Sequence, residues 1–306
     1  MTLSRISGVF AAALTPLMTD FSPDLDAVPR FLSFLAERGC HGALILGTTG
    51  EGPSFSPIQR ETIYRAAMSI KESHPDFILL AGTGTPSLDE TTALTRQAFD
   101  LGFDGVVVLP PYYYRNATEE GLFRWYARVL SVAVPEDGAL LGYHIPAVSG
   151  VALSLDLLSR LKDTFPDRFY GIKDSSGDPG NARQLGERFR NDLIVLTGYD
   201  RLFSFALENG ASGCITAPAN LISPILRRIW DAYQAGESDQ IAQQEATAIR
   251  EKMDSFPPAS SLLKALLAAN YNFPRWPVAP PLLPLSDTAL GKALTEVDLV
   301  KAKLSI

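Results

Sequence analysis

The chain has 306 residues, 46% of them apolar and 20% charged, with a net charge of −7. That composition supplies a sizeable core for one large domain or two ordinary ones. The acidic balance and the lack of any basic block speak against nucleic acid or an anionic membrane surface as the main partner. Cys40 and Cys214 are the only cysteines and stand in no CxxC pair. They suit a reducing compartment, so a cytoplasmic protein without a disulfide is expected. No apolar stretch reaches the length of a membrane span. Arg5 and the run Val9–Leu14 weakly resemble a secretory signal, but the run is short and Pro16 and Asp20 follow soon after. It reads better as a first strand.

In chain order, short β-like runs alternate with helical stretches. Gly8–Thr15 predicts a strand, followed by a helix near Leu25–Arg38 whose Val28, Phe31, Leu32 and Leu35 recur at helical spacing. Gly42–Leu46 is the second strand, with a helix from Pro57 to Lys71; proline suits a first-turn position because its missing N–H has no partner there. Phe77–Ala81 is the third strand, and Ser87 or Asp89 begins the helix that ends near Leu101–Gly102. Gly105–Leu109 is the fourth, with a helix over Thr118–Val132. Ala139–Tyr143 is the fifth, and Ser154 caps the next helix. Phe169–Lys173 is the sixth, followed by a helix over Ala182–Arg190. Leu193–Thr197 is the seventh, followed by a helix near Leu202–Asn209. Gly213–Thr216 is the eighth, and Ser223-Pro224 opens a helix reaching Gln234.

Eight strand–helix units within residues 1–235 predict an α/β fold, a (β/α)8 TIM barrel, as the catalytic domain. A doubly wound open sheet is the alternative; it normally has fewer units and a nucleotide fingerprint. Residues 236–306 read as a C-terminal helical extension packed on the barrel, with helices over Asp239–Ser255, Ala259–Ala269 and Asp287–Lys303. The Pro-rich passage Phe273–Pro284 carries Trp276, Val278, Leu282 and Leu283, which favours a packed connector over a free linker.

Barrel active sites lie at the C-terminal ends of the strands. That rule collects Gly47-Thr48-Thr49-Gly50-Glu51 after the second strand and Pro110–Tyr114 after the fourth. It adds Tyr143-His144 at the fifth, Lys173 at the sixth, and Tyr199 and Asp200 after the seventh. A lysine is costly to bury charged, and one held neutral can attack a carbonyl to form a Schiff base. Taken alone, Lys173 reads more readily as a strand-end lysine that snorkels to solvent. The Gly-Thr-Thr-Gly turn offers hydroxyls and close backbone N–H groups to a carboxylate, or it is simply a turn that needs glycine. Tyr143 can act as acid and base in turn, or it is a core tyrosine. His144 would face away from Tyr143 on a strand and reads as structural. Glu51 would orient its turn rather than react. The Tyr112–Tyr114 run reads as a lid or a subunit contact. There is no GxSxG, HExxH, GxxxxGK[ST] or complete GxGxxG, and Gly82-Thr83-Gly84 is a weak phosphate signal. Nothing calls for a metal or an organic cofactor.

Five motifs carry a resemblance: GTTGE at 47–51, PPYYY at 110–114, YHIPAVSG at 143–150, GIKDSSGD at 171–178 and TGYD at 197–200. In this order and spacing the chain resembles the dihydrodipicolinate synthase/N-acetylneuraminate lyase family of class I Schiff-base aldolases, over essentially its whole length. The resemblance implies that Lys173 forms an imine with pyruvate or another 2-oxo acid and that Tyr143 shuttles protons. It implies that Thr48 and Thr49 hold the carboxylate, with Gly50 beside them, and that Tyr113 reaches a neighbouring subunit's site in a homotetramer, a dimer of dimers. The substrates implied are small, a 2-oxo acid and an aldehyde. Synthases of the family carry an arginine two residues after the strand-five proline; here that place is Val148. Sialic acid lyases carry a glutamate after the strand-seven aspartate and a serine near strand eight; here Arg201 and Ala217 stand there. Ser175 replaces a threonine or alanine common in relatives and is placed with Asp200 and Ala217 among the substrate-binding residues. The expectation is a carbon–carbon lyase acting on a 2-keto-3-deoxy sugar acid. The alternatives are synthase-type condensation or dehydration, and a non-catalytic small-acid-binding paralogue.

Overall fold

The computed structural model describes residues 6–297 and Leu299. Eight parallel strands close into a barrel in chain order: β1 Gly8–Ala12, β2 Gly42–Ile45, β3 Ile78–Gly82, β4 Gly105–Val108, β5 Leu140–His144, β6 Phe169–Asp174, β7 Ile194–Thr197 and β8 Gly213–Thr216. Every strand but β6 is buried at each position, as expected of parallel strands covered on both faces. The helices are α1 Ala27–Glu37, α2 Pro57–Met68, α3 Leu88–Asp100, α4 Glu119–Ala133, the single turn α5 Pro146–Ser149, α6 Leu155–Thr164, α7 Pro179–Phe189, α8 Phe203–Glu208 and α9 Ala219–Gln234. Beyond them lie α10 Gln240–Met253, α11 Ala259–Tyr271 and α12 Asp287–Glu296. This is a TIM barrel with C-terminal helices.

Local chemistry explains the boundaries. Ser87, Thr118, Ser154 and Ser286 each accept a backbone N–H three residues on, which satisfies one of the orphan donors at a helix start. Ser56 does the same for Gln59, whose side chain accepts the Ser56 N–H in return, and Pro57 fills the first helical position. Burial supplies the rest: Phe31, Leu32 and Leu35 of α1 are at most 1% exposed, and each such side chain contributes about 1.5–3 kcal/mol.

Some boundaries differ from the sequence expectation. β1 stops at Ala12, although the Ala13 N–H still bonds the Leu44 carbonyl at 3.0 Å. The helix after β2 ends at Met68 and tightens into a 3-10 turn over Ser69–Glu72. α9 starts at Ala219, not Ser223, because a first helical turn precedes a break at Ile222 (φ −110°, ψ 21°). Pro224 lacks the N–H that would carry the helix through that point, so Ser223-Pro224 opens the second segment. α12 ends at Glu296, where Val297 turns extended; residues 298 and 300–303 of the expected helix lie outside the described residues.

The chain divides into two compact units, Met1–Gly8 with Ile78–Ile215, and Val9–Phe77 with Thr216–Ile306. The first holds the β3–β8 ladder, with Tyr143 opposite Lys173 and Lys173 opposite Leu196. The second holds the β1–β2 pair and the C-terminal helices. Cys40 and Cys214 are buried and form no disulfide; burial pushes the Cys40 thiol up to about 12. No helix among the described residues is long and apolar enough to cross a membrane.

Candidate active site

Lys173 is the penultimate residue of β6 and is 3% exposed. Its register partner on β5 is Tyr143, itself 5% exposed. The Lys173 Nζ lies 4.1 Å from the centroid of the Tyr143 ring, within reach of a cation–π contact. Among the described residues the ammonium has no hydrogen-bond or ion-pair partner. A buried amine set against a phenol can act as a nucleophile with a proton carrier at its side.

The next residue on each strand faces the other way. His144 Nδ1 accepts the Leu153 N–H at 3.0 Å, and His144 pairs in register with Asp174. Burial pulls the His144 pKa below its usual 6.5, and the nearby Asp174 carboxylate partly opposes this. Asp174 also accepts the Ser176 N–H at 3.1 Å, and its carbonyl accepts the Gly198 N–H at 2.6 Å. The two Asp174 bonds anchor the backbone that follows Lys173.

Ser175 follows immediately and is half-buried against Gly198, the residue after β7. A Cβ built on Gly198 would come 1.9 Å from the Ser175 Oγ, so only glycine lets this hydroxyl sit there. Asp200 is fully buried in the 3-10 turn after β7. Tyr113, by contrast, is 75% exposed, its ring edge-on to Tyr114 at 5.3 Å. Val148 is 56% exposed on α5. Arg115, which carries no sequence motif, lies against Gly150 at the end of α5: a Cβ there would come 2.7 Å from its Cδ.

In the other unit, Thr48, Thr49 and Gly50 form one turn after β2. Thr48 is exposed and Thr49 is 9% exposed. A Cβ at Gly50 would meet the Ala13 carbonyl at 2.6 Å, so the turn needs glycine for close approach. The Gly50 carbonyl accepts from Thr15 Oγ1 at 2.7 Å. Asn220 fixes the neighbouring backbone, accepting the Leu14 N–H at 3.2 Å and donating to the Ala12 and Ala217 carbonyls at 2.8 and 2.7 Å. Ala217 itself lines a cleft of about 100 Å³ with Pro218, Arg250, Asp254 and Leu263.

Glu51 is the largest addition to the sequence reading. It is 2% exposed and ion-paired to Lys264 of α11, which is 1% exposed. Burial holds the Lys264 ammonium below its usual range, while Glu51 pulls it back up. The signal was a lone lysine inside the apolar run Ser-Leu-Leu-Lys-Ala-Leu-Leu at 261–267.

The profile of the dihydrodipicolinate synthetase family matches residues 5–298. The chain belongs to that family. An uncharacterized DapA-like lyase of Chloroflexus aurantiacus is 38% identical over 92% of both chains. A 4-hydroxy-tetrahydrodipicolinate synthase of Methanospirillum hungatei is 30% identical over 75% of this chain and 77% of its own. Among solved structures, the dihydrodipicolinate synthase from Agrobacterium tumefaciens superposes with a TM-score of 0.87 at 27% identity, covering 96% of this chain and 99% of that one. Members of this family are lyases or aldolases, and this family member is an enzyme of that kind.

Proposed function

We propose that this family member is a pyruvate-dependent class I aldolase that cleaves or forms a 2-keto-3-deoxy sugar acid. The observation that carries the reading is the buried Lys173 Nζ set 4.1 Å from the Tyr143 ring, at adjoining strand ends of a closed barrel.

The Lys173 amine adds to the C2 carbonyl of the sugar acid, and loss of water leaves a protonated imine. Tyr143 takes the proton of the C4 hydroxyl as the C3–C4 bond breaks. The electron pair of that bond flows into the imine and gives an enamine, and the C4 fragment leaves as an aldehyde. Tyr143 then returns a proton to C3, and hydrolysis of the imine frees pyruvate and restores Lys173. The imine nitrogen is the electron sink throughout, so the step needs no metal. The C1 carboxylate is assigned to the Thr48–Thr49 turn, whose hydroxyls and Gly50 N–H are donors suited to an anion. Ser175, Asp200 and Ala217 border the rest of the substrate. Tyr113, three-quarters exposed, has the geometry of a residue offered to a neighbouring subunit, in keeping with a homotetramer built from dimers in the cytoplasm.

The choice of branch rests on Val148. A synthase needs a cation there for the second substrate's carboxylate, and valine cannot form a bidentate carboxylate pair. The test is turnover of the purified protein with a panel of 2-keto-3-deoxy acids, against condensation of pyruvate with aspartate semialdehyde. Release of pyruvate from at least one sugar acid, with negligible condensation, is expected. Efficient condensation with the semialdehyde would overturn the assignment and favour the synthase branch.

A further inference from the structure

α11 packs eight of its thirteen residues out of solvent, and Lys264 is one of them. Its Nζ donates to Glu51 Oε1 at 2.6 Å and to the Pro277 carbonyl at 2.7 Å. The other carboxylate oxygen of Glu51 accepts the Ala279 N–H at 2.8 Å. Glu51 is held in a left-handed backbone conformation (φ 57°, ψ 28°), which a residue with a side chain adopts only where its surroundings require it. Its own N–H closes the turn on the Thr48 carbonyl at 3.1 Å. One helical turn before Lys264, and so on the same face of α11, the Ser260 Oγ donates to the Thr49 carbonyl at 3.0 Å. Because a trans peptide is planar, fixing the Thr49 carbonyl also fixes the direction of the Gly50 N–H, which points the opposite way.

We propose that Glu51, Lys264 and Ser260 are positioning residues for the substrate carboxylate. Through them α11 of the C-terminal extension sets the Thr48–Thr49–Gly50 turn, and so selects 2-oxo acids over neutral ketones without touching the substrate. The proposal rests on the reading of that turn as the carboxylate site. These two attachments, one to a carbonyl and one to a side chain, add to the Thr15 bond on the Gly50 carbonyl in orienting the turn. The ion pair also explains why an acidic residue follows the second glycine although it faces the protein interior.

The test uses the full-length protein and the rate at which borohydride traps a carbonyl compound on Lys173. Pyruvate is compared with pyruvamide, which keeps the ketone and loses the negative charge. Lys264→Met, Glu51→Gln and Ser260→Ala are measured with the wild type, each with its Tm. The pyruvate-to-pyruvamide ratio of trapping rates is expected to fall roughly tenfold or more in Lys264→Met, since small misplacements of a binding group cost factors of that size. A smaller fall of about threefold is expected in Ser260→Ala, which loses one neutral hydrogen bond. Pyruvamide trapping itself should hold. A purely structural brace would lower Tm and leave the ratio alone, and that outcome overturns the proposal. If Lys264→Met does not fold, Ser260→Ala and Glu51→Gln decide it by the same ratio. A wild type that traps both compounds equally well would instead remove the carboxylate reading of the turn, and the proposal with it.

Discussion

Among the described residues two lysines are buried, and they differ in what surrounds the side-chain nitrogen. Lys264 has a carboxylate and a carbonyl within 2.7 Å, so its ammonium is neutralised and bonded. Lys173 is almost as deeply buried, yet the group beside its Nζ is the face of Tyr143. Burial costs an ion several kcal/mol, and only a partner in good geometry offsets it. The lysine with a full set of partners is tied down and holds its neighbours in place. The lysine without them stays available, and on the proposed reading it is the nucleophile.

The comparison breaks most sharply under substitution of the two lysines by methionine. Lys173→Met should abolish turnover, while its Tm holds or rises because an uncompensated buried amine is replaced by an apolar chain of similar size. Thermal unfolding beside a turnover assay checks both halves. A large loss of Tm would mean that Lys173 is structural after all. Lys264→Met should lower Tm as well as pyruvate selectivity: it strands Glu51 as a buried carboxylate without its cation and should cost about 3–5 kcal/mol of stability. Adding Glu51→Gln should recover part of that loss, as a double-mutant cycle in denaturant would show.

Tyr143→Phe comes next in size. It keeps the ring against Lys173 and removes only the hydroxyl, so turnover should fall about 10²–10⁴-fold while imine formation changes little. Equal loss in both, seen in single-turnover trapping, would remove its role as proton carrier.

The smallest effect concerns the two histidines that accept a backbone N–H on Nδ1. His144 accepts from Leu153 and His41 from Val9, both at 3.0 Å. Both rings are held below the usual 6.5, chiefly by burial; Asp174 opposes this at His144, and Arg227 adds to it at His41 while Asp231 opposes it. In this window the unfolded chain binds more protons than the folded one, so stability rises with pH. It should therefore be lost as pH falls from about 6.5 towards the lower folded values. Replacing both histidines by asparagine should flatten Tm between about pH 6.5 and 5 relative to the wild type. An unchanged slope would place the acid sensitivity elsewhere.

The barrel was legible because each strand is a short apolar run and most helices announce themselves with Ser, Thr or Asp at the cap. Lys173 and Tyr143 were legible for the same reason: each is the penultimate residue of its strand, and these consecutive parallel strands pair. The kink at Ile222 was not, because a helical turn before a proline has no local signature distinct from a loop. Nor was the service that α11 performs for the β2 turn. Glu51 and Lys264 are 213 residues apart, and only the fold makes them neighbours. The contact between Ser175 and Gly198 was hidden likewise, since it depends on the close approach of two loops.

The central claim is that, of these two buried lysines, Lys173 alone does chemistry. Borohydride reduction in the presence of pyruvate, followed by peptide mapping by mass spectrometry, tests it most directly. A single reduced pyruvate adduct on the Lys173 peptide, absent from Lys173→Met and undiminished in Tyr143→Phe, is the predicted result. No adduct with any 2-oxo acid, or an adduct that survives Lys173→Met, would contradict it.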